Sequence, residues 1–514
     1  MVEARLESRP IDTLRTAIGR DPLVWLAVLV LALIYLFTAS RYDIFRNELY
    51  FIVCGRHPAF GYADLPPLAP LVAAAMQLFG INVFLLRLPA ILMALALIPI
   101  TAEFARTIGG GKSAVWMAAG AVAIAPGLLA ISSTLGPPSF EPLGWTLCAW
   151  LVARAILNDD RRAMVWAGVI AGITFNAKYG IALWMLGLAI GIVAMPARRI
   201  FRWRESWYGL AAAAVIGVPS LIWQQLHGWP FFATIHFATA HRNLTGSPLR
   251  FEIGQIAAMN FLLAPLWIAG VIAPAVVERL KPVRFLSIGF VITTAAIICS
   301  HGKGYYLIPA YPTMFAVGAV ACERLSRALR ATWFVAAIAA TVPILPVVLP
   351  ILDPAALASY LDRTHLRPRP MEVEGIGAPL TQVFSDEMGW REMEKQVAQV
   401  YRSLPPEDRA QAAIMAQDYG EAAAIDVYGR EDGLPPALCS QLQYYFWGPR
   451  GYTGSVMIHV NGDPDRWSDL CADSKVVGTF GVPLAMPYEN GPIILCKGLR
   501  RPLPEMWDQF KREH

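Results

Sequence analysis

Long apolar runs constrain this chain more than any other feature, because several approach the length that crosses a bilayer. A membrane-spanning helix needs about 20 mainly apolar residues. Of the 514 residues, 56% are hydrophobic and only 16% are charged, which is unusual for a soluble protein of this length. The runs cover 22–40, 83–105, 113–134, 142–157, 164–195, 207–224, 254–277, 285–322 and 331–351. They predict a polytopic α-helical membrane protein.

Arginine and lysine cluster in the turns between these runs. The positive-inside rule places such clusters in the cytoplasm, so an even number of crossings separates consecutive clusters. The clusters are Arg5, Arg9, Arg15 and Arg20; Arg106 and Lys112; Arg161 and Arg162; Arg198, Arg199, Arg202 and Arg204; Arg279, Lys281 and Arg284; Arg324, Arg327 and Arg330. Basic residues in such turns do not indicate a nucleic-acid partner. The first apolar run is predicted to be a retained anchor, since no convincing cleavage site accompanies it.

Because an even number of crossings separates consecutive basic clusters, two of the long runs must each contain a turn. Residues 164–195 must turn at FNAKYG, which contains Lys178, and residues 285–322 must turn at SHGKGYY, which contains Lys303. The halves have roughly 15 residues each, so tilted or incomplete crossings are expected. The prediction is eleven spans, with the N-terminus in the cytoplasm and the C-terminus outside.

This topology brings many polar residues to the outer side. The outer segments are 41–82, 135–141, the two lysine turns, 225–253 and the chain after about residue 351. They carry Glu48, Asp64, Glu141, Lys178, His227, Arg242 and Lys303. An acid-bearing loop among membrane spans is a candidate functional site. Loop 41–82 is also expected to contain helices lying along the membrane surface.

The composition changes after Ile351, where polar and apolar residues alternate. Strand-like runs are AAIMA, SVMIHV, KVVGTFGV and GPIILC, and helix-like runs are GEAAAIDVYG and PEMWDQFK. They predict a transmembrane domain at 1–351 followed by an outer α/β domain at 352–514, which in a bacterium is periplasmic. Cys439, Cys471 and Cys496 would be exposed to oxidation there, and a Cys471–Cys496 bridge is one option.

Two lysines at outer turns suggest a phosphate site. Lys178 is followed by Tyr179, while Lys303 lies between glycines and precedes Tyr305 and Tyr306. Such lysines either anchor at the headgroups or bind the phosphate of an amphiphilic substrate as point charges.

Three carboxylates compete for a chemical role. Glu48 is either a general base for an acceptor hydroxyl or part of an ion pair with Arg46 or Arg56. Asp64 precedes Pro66-Pro67, which is consistent with N-capping or orientation. Glu141 is most simply an acid at the start of a helix.

The histidines do not form a metal pattern. His227, His236 and His241 do not share one helical face, and their loop lacks carboxylates, so aromatic packing is expected. His57 and Arg242 remain further candidates for substrate contact. No cofactor is expected, although a divalent cation stays an open alternative.

Several stretches resemble the bacterial and archaeal branch of the dolichyl-phosphate-mannose–protein mannosyltransferase superfamily, which includes glycosyltransferase family 39 and the lipid A aminoarabinose transferase. They are RNELYFIVCGRHPAFGYADLPPL at 46–68, SFEPLGW at 139–145, GITFNAKYG at 172–180, HGWPFF at 227–232, GKGYYLIPAYP at 302–312, DYGEAAAIDVYG at 418–429 and YYFWG at 444–448. The resemblance covers nearly the whole chain and implies the GT-C fold.

The resemblance also implies a reaction. Such enzymes transfer a sugar from a polyprenyl-phosphate donor to a hydroxyl of a protein or a lipid-linked glycan on the outer face. Their first outer loop carries an Asp-Glu pair, which here reads Asn47-Glu48. The amide cannot act as a base, so Glu48 or Asp64 would act alone. Lys178, and also Lys303 with its two tyrosines, would hold the donor phosphate.

The sequence therefore predicts a membrane glycosyltransferase that uses a polyprenyl-phosphate sugar. Two alternatives are a transporter of lipid-linked sugars and a catalytically inactive homologue, the latter favoured by Asn47. A transporter would place polar groups at mid-membrane in repeated halves. This chain instead concentrates them on one side.

The predicted topology has a direct test. Alkaline phosphatase, which folds only outside the cytoplasm, is expected to be active when fused after Ile351, because eleven crossings leave that residue outside. The measurement is phosphatase activity in intact cells, with a fusion after Arg162 as the inactive control. Activity from a cytoplasmic reporter after Ile351 would reverse the arrangement.

Overall fold

Helices dominate the computed structural model, which describes residues 21–244, 246–370 and 372–511. The predicted basic cluster from Arg5 to Arg20 lies outside the described residues. The α-helices up to residue 200 are α1 Pro22–Thr38, α2 Arg46–Gly55, α3 Leu68–Gln77, α4 Val83–Thr107, α5 Lys112–Ile124, α6 Pro126–Ile131, α7 Pro137–Asn158, α8 Arg162–Phe175 and α9 Gly180–Val193. Those up to residue 350 are α10 Arg204–Leu226, α11 Pro230–Phe237, α12 Pro248–Ala258, α13 Ala264–Val276, α14 Arg284–Cys299, α15 Tyr311–Cys322, α16 Arg327–Thr341 and α17 Leu345–Val348.

Six helical segments in the described part are long and apolar enough to cross a membrane. They are Val83–Thr107, Pro137–Asn158, Arg204–Leu226, Glu278–Cys299, Gly304–Cys322 and Arg327–Val348. A seventh candidate is Gly180–Val193 with Pro196–Arg202, a pair bent by 118°. Apolar helices of 10–17 residues occupy other predicted spans, among them α1, α5, α8 and α13. The protein is a multi-pass membrane protein, while the count of eleven stays a prediction.

The two predicted breaks are confirmed as interruptions between helices. Helix α8 ends at Phe175 and α9 begins at Gly180, so Lys178 lies in the connection. Helix α14 ends at Cys299, and a 3-10 helix, Gly304–Ala310, then leads into α15. Lys303 is therefore the last residue before the chain becomes helical again.

Small residues let several helices pack backbone to backbone. A Cβ atom on Gly168 of α8 would lie 1.9 Å from the carbonyl oxygen of Gly209 on α10. A Cβ atom on Gly318 of α15 would lie equally close, 1.9 Å, to the Leu266 carbonyl of α13. Glycine is required at both contacts, as is common where helices associate in membranes.

The C-terminal part contains one five-stranded sheet. Its helices are α18 Pro354–Thr364, α19 Gln382–Ser385, α20 Trp390–Ser403, α21 Pro406–Gln411, α22 Tyr419–Tyr428, α23 Leu442–Trp447, α24 Pro464–Leu470 and α25 Leu503–Phe510. Its strands are β1 Ala412–Ala416, β2 Leu438–Cys439, β3 Val456–Val460, β4 Cys471–Phe480 and β5 Gly491–Leu499. The order is β2-β1-β3-β5-β4, with β1, β2 and β3 parallel and the other pairings antiparallel. All four predicted strands and both predicted helices are confirmed.

Residues 41–82 and the C-terminal part share one hydrophobic core. Leu49 and Phe51 of α2 belong to the same buried cluster as Ile425 of α22 and Trp390 of α20. The opposite face of the sheet has its own cluster around Met457 and Trp507. The chain before α3 is therefore attached to the C-terminal part and is not a free loop, while the domain boundary at residue 351 stays a prediction.

A Cys471–Cys496 disulfide joins β4 to β5 and confirms the bridge considered from the sequence. Changing both cysteines to alanine should lower the free energy of unfolding of this part by about 3 kcal/mol, because the cross-link no longer restricts the unfolded chain. The measurement is hydrogen exchange of the sheet amides. Cys299→Ala, at an exposed free cysteine, is the control and should change nothing. Equal exchange in all variants would contradict this prediction.

Candidate functional site

The two helix breaks meet in the folded chain. The Lys178 Nζ lies 4.1 Å from the ring centroid of Tyr306 and 4.9 Å from that of Tyr305. Ammonium groups over aromatic faces are stabilised by the ring quadrupole. The sequence expectation that the residues around Lys178 and Lys303 reach one place is therefore supported by direct contact.

Glu141 is the ionic partner of Lys178. The Lys178 Nζ donates a hydrogen bond of 3.1 Å to Glu141 Oε2, and the Glu141 side chain is only 2% exposed. A Cβ atom on Gly180 would lie 2.8 Å from Glu141 Oε1, so glycine permits this close approach. Glu141 lies in the second turn of α7, as expected of an acid near the start of a helix, and its partner is the lysine rather than solvent.

A second pair of cations shares one carboxylate. The Arg242 Nη2 lies 3.1 Å from Glu372 Oε2, and Lys303 donates a hydrogen bond to Glu372 Oε1. Burial acts to raise the pKa of Glu372, but Lys303 and Arg242 lower that pKa to about 2. Glu372 is therefore ionised at any working pH, and the two cations are held together by it.

Asp64 is partly exposed and lies within reach of the charge of Arg242. The Tyr50 hydroxyl donates a hydrogen bond of 2.8 Å to Asp64 Oδ1. Burial raises the pKa of Asp64 to about 6, although this hydrogen bond and the charge of Arg242 act to lower it. A half-buried carboxyl group with such a pKa can accept a proton near neutral pH. The geometry thus matches a general base. Among the described residues, no hydrogen bond from a helix N-terminus reaches the Asp64 side chain, so the N-capping alternative is not supported.

Asn47 is held by the C-terminal part of the chain. The Tyr419 hydroxyl of α22 donates a hydrogen bond of 2.6 Å to Asn47 Oδ1. The Tyr419 and Tyr50 rings are 5.2 Å apart, so Asn47 and Asp64 are joined through two tyrosines. Asn47 is a positioned polar group that cannot remove a proton.

Glu48 is fully buried with both oxygens occupied. It accepts hydrogen bonds from Arg87 Nη2 at 2.9 Å, from the Leu135 amide at 2.7 Å and from the Phe45 amide at 3.0 Å. The Arg87 Nη2 also lies 3.2 Å from Glu387 Oε2. This geometry disfavours Glu48 as a base, because no acceptor hydroxyl reaches its oxygens without breaking the cluster.

The ion pairs suggested for Glu48 from the sequence are wrong. Arg46 lies 3.8 Å from Asp386 instead, and also donates to the Tyr488 hydroxyl. Arg56 donates a 2.7 Å hydrogen bond to the Asp426 carbonyl. Buried cations take the carboxylates that the fold brings close, and sequence proximity did not predict those.

The remaining candidate residues make hydrogen bonds or aromatic contacts with their neighbours. Tyr179 shares a 2.7 Å hydrogen bond with Ser220, and His57 lies 4.8 Å from the Trp447 ring. The predicted aromatic packing is confirmed for His227, which stacks 3.9 Å from Trp223, and for His241 against Phe237. Among the described residues, no group of three possible ligands could hold a metal ion.

A separate cavity of about 200 Å³ lies at the carboxyl ends of β1 and β3. Met415, His459 and Trp467 are among its lining residues, and none of the predicted site residues is. Met415 and Trp467 belong to the core on the sheet face opposite α2. The cavity is therefore outside the cluster around Asp64.

Sequence reasoning missed Glu372, Tyr50, Arg87 and Tyr419. Glu372 lies in a segment with no motif, and Arg87 lies inside an apolar run, where an unpaired cation is costly. The cost of that buried charge was the one signal available, since it implies an acidic partner. Which carboxylate serves as the partner is a tertiary property.

The family model of the dolichyl-phosphate-mannose-protein mannosyltransferases matches residues 64–223. The resemblance to that family is confirmed. The matched mannosyltransferase-like segment contains Asp64, Glu141 and Lys178, and it ends before Arg242 and Lys303. No curated protein sequence matches the chain.

Solved structures share the fold. ArnT from Cupriavidus metallidurans in the apo state aligns with a TM-score of 0.62 at 16% identity, covering 92% of this chain and 97% of ArnT. ArnT bound to undecaprenyl phosphate aligns at 0.58 and 15% identity, with the same coverage. Arabinofuranosyltransferase AftD from Mycobacteria aligns at 0.51 and 15% identity, covering 92% of this chain and 40% of AftD. At these identities the likeness establishes the fold alone, which is GT-C-like.

The Arg87 cluster yields a stability prediction. Arg87→Ala should lower the free energy of unfolding by about 3–5 kcal/mol, because it leaves buried carboxylates without a counter-ion. The measurement is thermal and denaturant unfolding of the purified protein, followed by tryptophan fluorescence. Lys281→Ala, which removes an exposed ion pair with Glu278, is the control and should cost less than about 1 kcal/mol. Equal losses of unfolding free energy in both variants would show that the buried cluster stabilises the fold no more than an exposed ion pair does.

Proposed function

We propose that this protein is a membrane glycosyltransferase that moves a sugar from a polyprenyl-phosphate donor to a hydroxyl group. The observation that carries the proposal is the cluster of Lys178, Lys303 and Arg242 next to the half-buried Asp64. Cations suit a lipid-phosphate leaving group, and the carboxylate suits an acceptor proton. The acceptor is a protein or an envelope glycan or lipid, and the sugar is a hexose or pentose.

The reaction balances without a cofactor. The acceptor oxygen attacks the anomeric carbon, the bond from that carbon to the phosphate oxygen breaks, and the acceptor proton passes to Asp64. The departing phosphate gains negative charge, which Lys303, Arg242 and Lys178 stabilise. Attack opposite the leaving group inverts the anomeric configuration. That ArnT has been crystallised with undecaprenyl phosphate supports a lipid phosphate as the leaving group.

Asp64 is the base in this proposal, and Asn47 and Glu48 have other roles. Asn47 can accept a hydrogen bond from a substrate or orient Tyr419, whereas Glu48 holds α2 against Arg87. Tyr305 and Tyr306 flank Lys178 and would contact the donor headgroup. Glu141 would keep Lys178 in place without touching the sugar.

The proposed orientation follows the positive-inside analysis. Eleven spans place the N-terminus in the cytoplasm and the cluster at the outer face of a bacterial inner membrane, with residues 352–514 as a periplasmic domain. The polyprenyl chain of the donor would lie in the bilayer while its phosphate reaches the lysines. An acceptor would approach from the periplasm.

The proposal is tested with purified protein, radiolabelled polyprenyl-phosphate sugars and candidate envelope acceptors. Asp64→Asn should reduce sugar transfer by about 10²-fold or more, because the acceptor proton loses its base. Wild-type transfer should rise with pH up to about 6 and then level, since Asp64 must be deprotonated to act. The rise should vanish in Asp64→Asn.

The matched control is Asp353→Asn, at an exposed aspartate that pairs with Arg41, and it should transfer normally. Glu48→Gln should lower the free energy of unfolding, because it weakens the pair with Arg87, and should affect the rate of sugar transfer less. Full transfer by Asp64→Asn would exclude Asp64 as the base. The absence of transfer from every donor would support an inactive homologue, and movement of intact donor across vesicles would support a transporter.

A further inference from the structure

Residues 365–370 and 372–380, which we call the strap, reach from the end of α18 to the cluster. The strap is closed at its base, where Arg367 Nη1 donates to the Ala378 carbonyl at 2.8 Å and the Leu380 carbonyl at 3.4 Å. Its flanks contain two residues with left-handed backbone, His365 (φ 56°) and Gly377 (φ 83°). The base is thus fixed and the tip extends toward the membrane helices.

Among the described residues of the tip, Glu372 makes the contacts with the cluster. Its carboxylate pairs with Lys303 and Arg242, and its backbone forms one isolated antiparallel bridge with Asn243. Apolar side chains of the strap stay exposed, with Val373 at 48% and Ile376 at 58% of full exposure. Segments that bury little apolar surface open at low free-energy cost, so ion pairing decides where the tip lies.

We propose that Glu372 is a resident anion that occupies the phosphate position between Lys303 and Arg242, and that the donor's lipid phosphate displaces it. Donor binding would then lift the strap from the cluster. The inference rests on the proposed function, because it takes Lys303 and Arg242 as cations of the donor site. Glu372 acts through these cations and does not touch the reacting atoms.

Charge explains why an anion is needed in the resting protein and which ligand can replace it. Lys303 and Arg242 carry two positive charges on half-buried side chains, 13% and 17% exposed, and Glu372 cancels one of them. A phosphate offers arginine the same bidentate geometry as a carboxylate, with more oxygens. A neutral lipid has nothing to exchange for the carboxylate. Displacement therefore selects ligands by their phosphate.

A different role for Glu372 makes the opposite prediction. If the carboxylate only orients Lys303 and Arg242 for the phosphate, its loss would loosen both cations and weaken phosphate binding. If it competes with the phosphate, its loss would strengthen binding. The sign of the change in affinity separates competition from orientation.

The experiment measures undecaprenyl phosphate binding to the full-length protein in nanodiscs. Glu372→Gln should bind about tenfold more tightly than wild type, because a like charge no longer opposes the phosphate. Lys303→Gln should bind more weakly. Glu278→Gln is the control, since it makes the same chemical change at an exposed ion pair with Lys281, away from the strap, and its affinity should equal that of wild type.

A second readout follows the strap itself. Endoproteinase Glu-C should cut wild type after Glu372 faster when undecaprenyl phosphate is present, because lifting frees that side chain, and undecaprenol should have no effect. Unchanged or weaker binding by Glu372→Gln overturns the displacement. If Lys303→Gln still weakens binding in that case, the proposed donor site survives. If neither wild type nor Glu372→Gln binds undecaprenyl phosphate, both the displacement and the proposed donor site are overturned. If inorganic phosphate lifts the strap equally well, the lipid is not the specific ligand.

Discussion

The buried guanidinium of Arg87 is the interaction on which the geometry of the cluster depends. It pairs with Glu48 of α2 at 2.9 Å and with Glu387 of the C-terminal part at 3.2 Å. Glu48 in turn receives the backbone amide of Leu135, just before α7. Four segments from distant parts of the sequence are thereby fixed to one another. Removing Arg87 would leave the buried Glu48 and Glu387 without their shared counter-ion, so the guanidinium stabilises this arrangement.

The sequence predicted the framework well because its signals are local or follow from counting. Bilayer-length apolar runs and basic turns located the breaks at Lys178 and Lys303, and strand alternation located β1, β3, β4 and β5. Charge partners could not be predicted in this way. The ion-pair alternative for Glu48 involved the nearby Arg46 or Arg56, although its partner, Arg87, comes from α4. Glu372 carries no motif at all, since its role arises only when the strap lies against Lys303.

The cations of the cluster rest in ion pairs with protein carboxylates. Lys178 pairs with Glu141, a carboxylate buried in α7, whereas Arg242 and Lys303 pair with Glu372 on an exposed strap. The two kinds of partner differ in how easily they leave. Glu141 is held by a helix and by the close approach of Gly180, so Lys178 keeps its place. Under the proposed displacement, the Glu372 pair exchanges with the phosphate, so neighbouring cations have fixed and exchangeable roles.

The neutral side chain of Asn47 also affects the balance of charge around Asp64, Arg242 and Lys303. Tyr419 holds the Asn47 amide, and Tyr50, one helical turn along α2, holds Asp64. A second carboxylate at position 47 would add negative charge to the group of side chains that holds Asp64 and so act to raise the pKa of Asp64 further. It would also oppose a phosphate approaching Arg242 and Lys303. With an amide there, Asp64 keeps a pKa of about 6 and stays deprotonated near neutral pH. The departure from the family's acidic pair is thus compatible with catalysis by a single carboxylate.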